Sequence, residues 1–317
     1  MELHVLMPVY NDWQSAEQLL RDLDRTAAAH GLRFSATLVD DGSTESPAWP
    51  SDFRAALSCF SDVEILPLQG NRGQSAAVTL GLAHLQRREG LQPVLLMDAD
   101  GQDRAADVPA LVAAFREDPG RLVLAERRRR HENLRFRLCY LGFQMLFRAL
   151  VGRAFRIGIF GIYPVAQIEA LLRYPRLQRS VAGTLIASGL ATRFVLADRG
   201  RRTYGRSRFG LRGHIRHAWN ILAANRERIV SRASRASGIA SAVVLAATAL
   251  NAAMADSLPV DSWTAPGLAL AVLCGSISVG LAMTLPRTAR MRRRHRKLPL
   301  PDVSPGRDGS RASGDAE

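Results

Sequence analysis

At 317 residues and 47% hydrophobic composition, the chain is long enough to bury a sizeable core in one large domain or two smaller ones. Its formal charge of +14, mostly arginine after about residue 120, points to nucleic acid, an anionic membrane surface or a phosphorylated substrate. Three cysteines, Cys59, Cys139 and Cys274, stand far apart without metal-ligand spacing, so neither a disulfide framework nor a zinc site is supported. The opening Met1-Glu2-Leu3-His4 has neither a basic leader nor an apolar signal core, and this part of the chain is expected to stay in the cytoplasm.

Residues 3–7 read as a short apolar strand stopped by Pro8, followed by a loop over Val9-Tyr10-Asn11-Asp12. From Trp13, the spacing of Ala16, Leu19, Leu20 and Leu23 predicts an amphipathic helix. A second strand over 34–39 ends in Asp40-Asp41-Gly42-Ser43-Thr44, and a third over 63–68 ends in Gln69-Gly70-Asn71-Arg72-Gly73. A helix is predicted over 74–86, with Ala77, Leu80 and His84 on one face. The apolar run that begins at Pro93 gives a fourth strand, closing in Met97-Asp98-Ala99-Asp100-Gly101-Gln102-Asp103. This alternation of strand, loop and helix argues for an α/β fold with a mostly parallel sheet covered on both faces.

Each strand delivers polar residues at its carboxyl end, where open α/β sheets bind ligands. Any one of these loops is ordinary turn chemistry; four on one edge of one sheet make a site. Asp98 and Asp100, at i and i+2, are hard oxygen donors suited to Mg²⁺ or Mn²⁺ shared with substrate phosphates. A calcium loop is the competing pattern, but it requires Gly at the sixth position, where Asp103 stands. For a nucleotide, Asp40 or Asp41 would serve the base, Pro8 and Tyr10 an apolar wall, and a metal on Asp98 and Asp100 the diphosphate.

Met-Pro-Val-Tyr-Asn-Asp (7–12), Val-Asp-Asp-Gly-Ser (39–43), Asn-Arg-Gly-Gln-Ser-Ala-Ala-Val-Thr-Leu-Gly-Leu (71–82) and Met-Asp-Ala-Asp-Gly-Gln-Asp (97–103) stand in the order and spacing of family 2 glycosyltransferases, which the first 105 residues or so resemble. The resemblance implies a nucleotide-sugar-binding GT-A fold. It places Asp41 near the base, assigns Asp12, Asn71, Gly73 and Ala99 to the nucleotide-sugar site with Asp98, and puts Asp98, Asp100 and Gln102 around a metal that acts as Lewis acid on the leaving diphosphate.

A helix is predicted over 107–115 and a strand over 122–124, leading into Ala125-Glu126-Arg127-Arg128-Arg129-Arg130. This run resembles the family's Gly-x-Arg-x-x-Arg element at Arg127 and Arg130, with Ala125 in place of the glycine, and both arginines suit phosphate. Residues 134–150 read as an amphipathic helix on a membrane surface or as a core helix. Residues 158–164, where relatives often carry an acid near the acceptor site, have none; between Asn133 and Tyr204 the only acids are Glu169 and Asp198. Transfer to a hydroxyl normally uses a carboxylate base, whereas a phosphate acceptor is already ionised and needs cations. The stretch 198–209 supplies them and resembles the Arg-x-x-Gly-x-Ser-Lys-aromatic acceptor loop of polyprenyl-phosphate glycosyltransferases, matching at Arg202, Gly205, Ser207 and Phe209, with Arg208 where lysine is usual. The surroundings of Gly161 depart from the dolichyl-phosphate mannose synthase pattern, which leaves the donor sugar open.

A helix is predicted over 211–230, and Trp219 among arginines suits a membrane interface. Residues 237–255 and 265–285 are nearly uncharged and, as helices, each about 30 Å long, roughly one bilayer core. Arginines precede the first and follow the second, and none stands between them, so the positive-inside rule predicts a hairpin with both ends cytoplasmic. The expected organisation is a cytoplasmic GT-A domain over 1–210, a juxtamembrane amphipathic helix over 211–235, two transmembrane helices within 236–286, and a basic, then disordered tail over 287–317. The expected activity is inverting transfer from a UDP- or GDP-sugar to polyprenyl phosphate at the inner membrane. Asp100, Arg127 and Arg202 are cast as catalytic, and Arg130, Arg202, Ser207 and Arg208 as acceptor-phosphate ligands. A hydroxyl acceptor and a non-catalytic nucleotide-binding membrane protein are the alternatives. Nucleic acid is disfavoured because the basic clusters flank apolar spans without interleaved aromatics; homo-oligomerisation stays open.

Overall fold

The computed structural model describes residues 1–127, 134–155, 158–198, 200, 202, 204, 211–253 and 264–284. They divide into two compact units, one within Met1–His131 and Arg156–Asn220, the other within Glu132–Phe155 and Ile221–His295.

The first unit opens with β1 (Glu2–Val9), α1 (Trp13–His30), β2 (Arg33–Asp40), β3 (Phe60–Pro67), α2 (Gln74–Leu85) and β4 (Val94–Leu96). A 3₁₀ turn (Ala105–Asp107) leads into α3 (Val108–Glu117) and β5 (Leu122–Arg127). After the α4 segment of the other unit come β6 (Gly161–Tyr163), α5 (Val165–Leu172), α6 (Val181–Ser188) and β7 (Thr192–Ala197). Among the described residues the strands form one seven-stranded sheet, in the order β3-β2-β1-β4-β6-β5-β7. Pairs β1–β2, β1–β4, β2–β3 and β5–β7 are parallel, and only β6 runs against its neighbours. The expected mostly parallel α/β sheet is therefore present.

β1 lies inside the sheet, and its side chains alternate between two cores. Leu3, Val5, Met7 and Val9 join α1 and α3 on one face, while Leu6 joins α2, α5 and α6 on the other. The sheet is thus covered on both faces, which explains the apolar run from Val5 to Val9 in β1. α2 comes so close that a Cβ on Gly81 would stand 2.7 Å from both Leu6 and Val39 side chains.

Pro8 does not stop β1. Residues 4 and 6 bond toward β4, as His4 N does to Pro93 O and Leu6 O to Met97 N. Pro8 faces the same way, beyond the end of the β4 pairing, so its missing N–H leaves no partner wanting. β6 and β7 were not anticipated from the sequence. β6 has three residues and threads between β4 and β5, where a Cβ on Gly161 would lie 2.1 Å from Val123 O. β7 is an edge strand with Arg193, Phe194 and Leu196 exposed.

In the second unit, α4 (Leu134–Val151) buries Phe147 among Phe143 and Phe155, leaving Leu141, Met145 and Leu146 exposed. The helix expected over 211–230 is two: α7 (Leu211–Ala224) ends at Asn225, whose side chain donates to Ile221 O at 3.0 Å, and α8 (Arg226–Ala253) starts there. α9 (Thr264–Thr284) lies antiparallel to α8 on small polar residues. Ser237 donates to Cys274 O at 2.6 Å, Ser234 to Ser278 O at 2.9 Å, and a Cβ on Gly267 would stand 2.7 Å from Thr248 Oγ1. Among the described residues one stretch, Arg226–Leu250, is long and apolar enough to cross a membrane.

Candidate active site at the carboxyl edge of the sheet

Parallel pairing with Val9 opposite Asp40, Asp40 opposite Pro67, and Leu6 opposite Leu96 puts the loops after β1, β2, β3 and β4 on one edge. The first two loops are tied by Asn11, which adopts a left-handed backbone (φ 54) that asparagine tolerates better than most residues. Asn11 Oδ1 accepts from Thr44 N at 2.8 Å and its own amide donates to Ser43 Oγ at 2.9 Å. Asp40 accepts from Ser43 N at 2.8 Å and so shapes its own turn.

Asp41 turns inward and is 3% exposed. Its carboxylate oxygens accept from Arg72 N at 2.7 Å and Gly73 N at 2.8 Å, so it holds the loop that opens α2. Burial raises its pKa, against the opposing pull of those two amides. Gly42 and Gly70 touch backbone to backbone beneath this loop: a Cβ on Gly42, at φ +71, would lie 2.4 Å from Gly70 C.

Directly after the clamped amides, the Gln74 side chain donates to Asp98 Oδ1. The Asp98 amide donates to Asp103 Oδ2 at 2.9 Å and Asp103 is 2% exposed, while Asp100 Oδ1 accepts from Gln102 N at 3.0 Å. Asp103 thus builds the loop from below, leaving Asp98 and Asp100 half-buried at the edge. Ala99 points its methyl into the core, so a ligand would meet it through backbone.

The segment after β7 reaches the same edge. Gly200 N donates to Gln102 O at 2.9 Å, and Arg104 stands 3.6 Å from the Asp198 carboxylate. Two residues on, Arg202 Nη2 donates to both oxygens of Asp12, at 2.9 and 2.8 Å. Its Nε donates to Tyr204 O at 3.1 Å.

Of the residues singled out from sequence, Pro8, Tyr10, Asp12, Asp40, Asp41, Gly73, Asp98, Asp100, Gln102 and Arg202 therefore share one edge of the sheet, and Asn71 lies exposed on the loop that Asp41 clamps. Arg127 ends β5; its side chain, and Arg130, Ser207 and Arg208, lie outside the described residues. Sequence reasoning missed Gln74, Gly200 and the supporting role of Asp103; only the glycine in an arginine-rich loop hinted at a close approach.

For a divalent metal, Asp98, Asp100 and the Gln102 amide would offer oxygen donors only, the chemistry Mg²⁺ or Mn²⁺ takes when substrate phosphates complete the shell. Among the described residues no group of three His, Cys, Asp or Glu side chains gathers as a complete protein cage. The residues fit a metal shared with substrate.

The glycosyl transferase family 2 model matches residues 4–163. The undecaprenyl-phosphate 4-deoxy-4-formamido-L-arabinose transferase of Klebsiella pneumoniae subsp. pneumoniae is 32% identical over 136 residues, covering 43% of this chain and 39% of the relative. Its counterpart from Salmonella paratyphi B is 29% identical with the same coverage. This chain thus spans about two fifths of the length of the curated relatives it matches. Mannosyl-3-phosphoglycerate synthase from Rubrobacter xylanophilus aligns with a TM-score of 0.49 at 17% identity, over 71% of this chain and 72% of that one. With half its length matched by the family model, and the four motif loops gathered on one sheet edge, the chain belongs to glycosyl transferase family 2.

Proposed function

We propose that the chain is a membrane-anchored inverting glycosyltransferase that moves a sugar from a UDP- or GDP-sugar to a polyprenyl phosphate, with Mg²⁺ or Mn²⁺. The observation that carries this reading is the joining of three loops at one edge. Asp41 holds the loop from which Gln74 reaches Asp98, and Gly200 ties the Arg202 segment to the Gln102 carbonyl. This puts Arg202 on the same sheet edge as Asp98 and supports a donor site and an acceptor cation side by side. The undecaprenyl-phosphate specificity in the relatives' names supports the acceptor.

In this reading Asp98, Asp100 and Gln102 would hold the metal, whose chemistry is to neutralise charge on the departing nucleoside diphosphate. Asp41 keeps the Arg72–Gly73 backbone in place beside the nucleotide. Arg202 holds the acceptor phosphate, whose oxygen is already ionised, so its attack on the anomeric carbon calls for no general base. That agrees with the scarcity of acids between Asn133 and Tyr204.

α8 and α9 together would form the membrane hairpin. Their mutual contact uses Ser, Gly and Thr, as helix pairs in lipid do. Their outward surface is apolar, with Ile239, Val243, Leu250, Leu270, Val272 and Leu273 all at least half exposed.

The test offers purified full-length protein a panel of UDP- and GDP-sugars with undecaprenyl phosphate and Mn²⁺ or Mg²⁺. Lipid-extractable product that disappears in Asp100→Asn is the expected result. Product formed only on a hydroxyl acceptor would overturn the reading.

A further inference from the structure

We propose that Asp12 is a positioning residue for Arg202: its carboxylate locks the guanidinium so that the Nη1 edge is presented to a substrate phosphate. The inference rests on the proposed phosphate-acceptor chemistry and reassigns Asp12, which the motif alone would give to the nucleotide-sugar.

Arginine carries five N–H donors in a rigid planar fork. In Arg202, Nη2 is taken by the two Asp12 oxygens and Nε by Tyr204 O. Two separate atoms of the plane are thereby fixed, and so is its orientation. Both donors on Nη1 remain, and no described residue occupies them. The partners lie 190 positions apart in sequence, and their side chains are only 19% and 25% exposed. A pair this sheltered is not an incidental surface ion pair, for which both ends would be well hydrated. Asp12 closes the loop after β1, immediately before α1, and Arg202 lies two residues beyond Gly200, which is bonded to Gln102 O; both anchors belong to the edge that carries Asp98 and Asp100. A carboxylate orienting a group that itself meets the ligand is a recurrent arrangement, and losing the outer partner costs affinity although it touches no ligand.

Phosphate at this edge has two sources, the donor diphosphate and the lipid acceptor. The experiment therefore uses the full chain in nanodiscs with two probes, undecaprenyl phosphate and UDP or GDP with Mn²⁺, in equilibrium binding. Arg202→Ala is expected to weaken one probe by roughly tenfold to a hundredfold, and the probe it weakens identifies the source. Asp12→Asn should weaken the same probe, Asp12→Glu should restore most of it, and Asp12→Asn with Arg202→Ala should bind no worse than Arg202→Ala alone.

The proposal is overturned if Asp12→Asn binds both probes as wild type does, or if it weakens a probe that Arg202→Ala leaves untouched. Wild-type binding of the lipid with both variants unchanged would sink the pair and leave the proposed function standing. Failure of the wild type to bind either probe would sink both. A folding defect would lower the thermal midpoint and weaken both probes alike; Asp12→Glu then decides, since recovery supports the proposal and continued loss overturns it.

Discussion

Asp41 and Gly73 are joined by a 2.8 Å hydrogen bond from backbone amide to buried carboxylate, and the Arg72 amide makes a second at 2.7 Å. The loop that opens α2 is thus held from beneath, and Gln74, the next residue, is delivered to Asp98. The conspicuous acids of the Val-Asp-Asp-Gly-Ser motif divide their work: Asp40 makes its own turn, and Asp41 sets the height of a neighbouring loop.

Asp41→Asn offers one acceptor oxygen where two amides need one each, and turns an N–H₂ toward the second. A buried donor left unsatisfied costs about 1–3 kcal/mol. The thermal midpoint is expected to fall accordingly, and UDP or GDP binding with Mn²⁺ to weaken as the Arg72–Gly73 backbone loosens. Unchanged nucleotide affinity would show that this loop lies away from the nucleotide.

Gln74 touches Asp98 without belonging to the proposed donor set. Partners that orient metal-ligating carboxylates are typically worth roughly 10–100-fold in metal affinity. Gln74→Ala is expected to lower Mn²⁺ affinity by that order, and Asp98→Asn by more, read from the electron paramagnetic resonance signal of free Mn²⁺. Equal Mn²⁺ affinity in Gln74→Ala and wild type would remove Gln74 from this role.

β1 through β4 and their loops could be read from the chain because each apolar run ends in Asp, Asn or Gly. That punctuation is local, and the parallel sheet follows from it. β6 could not be read: three residues carry no period, and Gly161 is there for closeness to Val123 O, a demand set by another strand. The end of α7 at Asn225 was hidden for a different reason, since helical spacing runs on through 211–230 and only the cap reveals the break. At the site, the types of chemistry were legible, but the partners were not. The contacts of Arg202 with Asp12 and of Gly200 with Gln102 join segments 190 and 98 positions apart, and nothing local encodes either.

Away from the site, His4 is buried between strands with both ring nitrogens engaged, Nδ1 with Ser35 Oγ at 2.7 Å and Nε2 with Thr37 Oγ1 at 2.9 Å. Thr37 donates onward to Glu64, which also meets His84 and Arg88. Burial is the main cause that lowers the His4 pKa from 6.5 to about 4, aided by the charge of Arg88 and by His84, against Glu64 and Asp62. Between those values the unfolded chain binds a proton that the folded chain refuses. Stability from His4 is therefore fully present above about pH 6.5 and is lost as pH falls through about 4, a span on the order of 3 kcal/mol. Glu64 adds the same sign at lower pH: burial pushes its pKa up, but the Thr37 bond with Arg88 and His84 outweighs that and holds it low, so its share is lost only as pH falls below about 4.5. Thermal midpoints are expected to drop between pH 6.5 and 4, and His4→Gln to flatten much of that slope.

The proposed hairpin makes a sidedness test available. In a chain with Cys59, Cys139 and Cys274 replaced by serine, Ser257→Cys is expected to react with a membrane-impermeant maleimide added to intact cells. Arg292→Cys should react only after the membrane is opened, since arginines keep that flank inside. Labelling of both positions in intact cells, or of neither, would contradict two crossings.

Gly200 offers the cleanest separation of the acceptor segment from the donor site. Its amide bonds Gln102 O, and a Cβ there would stand 2.5 Å from Gly101 O and 3.2 Å from Arg104 Cγ. Arg104 can swing aside; the Gly101 carbonyl is backbone and cannot do so without moving the Asp98–Asp103 loop. The lighter adjustment is for the Gly200 segment to lift, carrying Arg202 away from Asp12. Gly200→Ala is therefore expected to cut transfer to undecaprenyl phosphate by about tenfold or more, since a 1 Å misplacement can cost a hundredfold. Affinity for UDP or GDP with Mn²⁺ should stay close to wild type, because Asp41, Gln74 and Asp98 are not displaced. A variant that loses nucleotide affinity and transfer in equal measure would show that the clash is relieved on the donor side, through the Gly101 carbonyl, and that the two loops move as one piece.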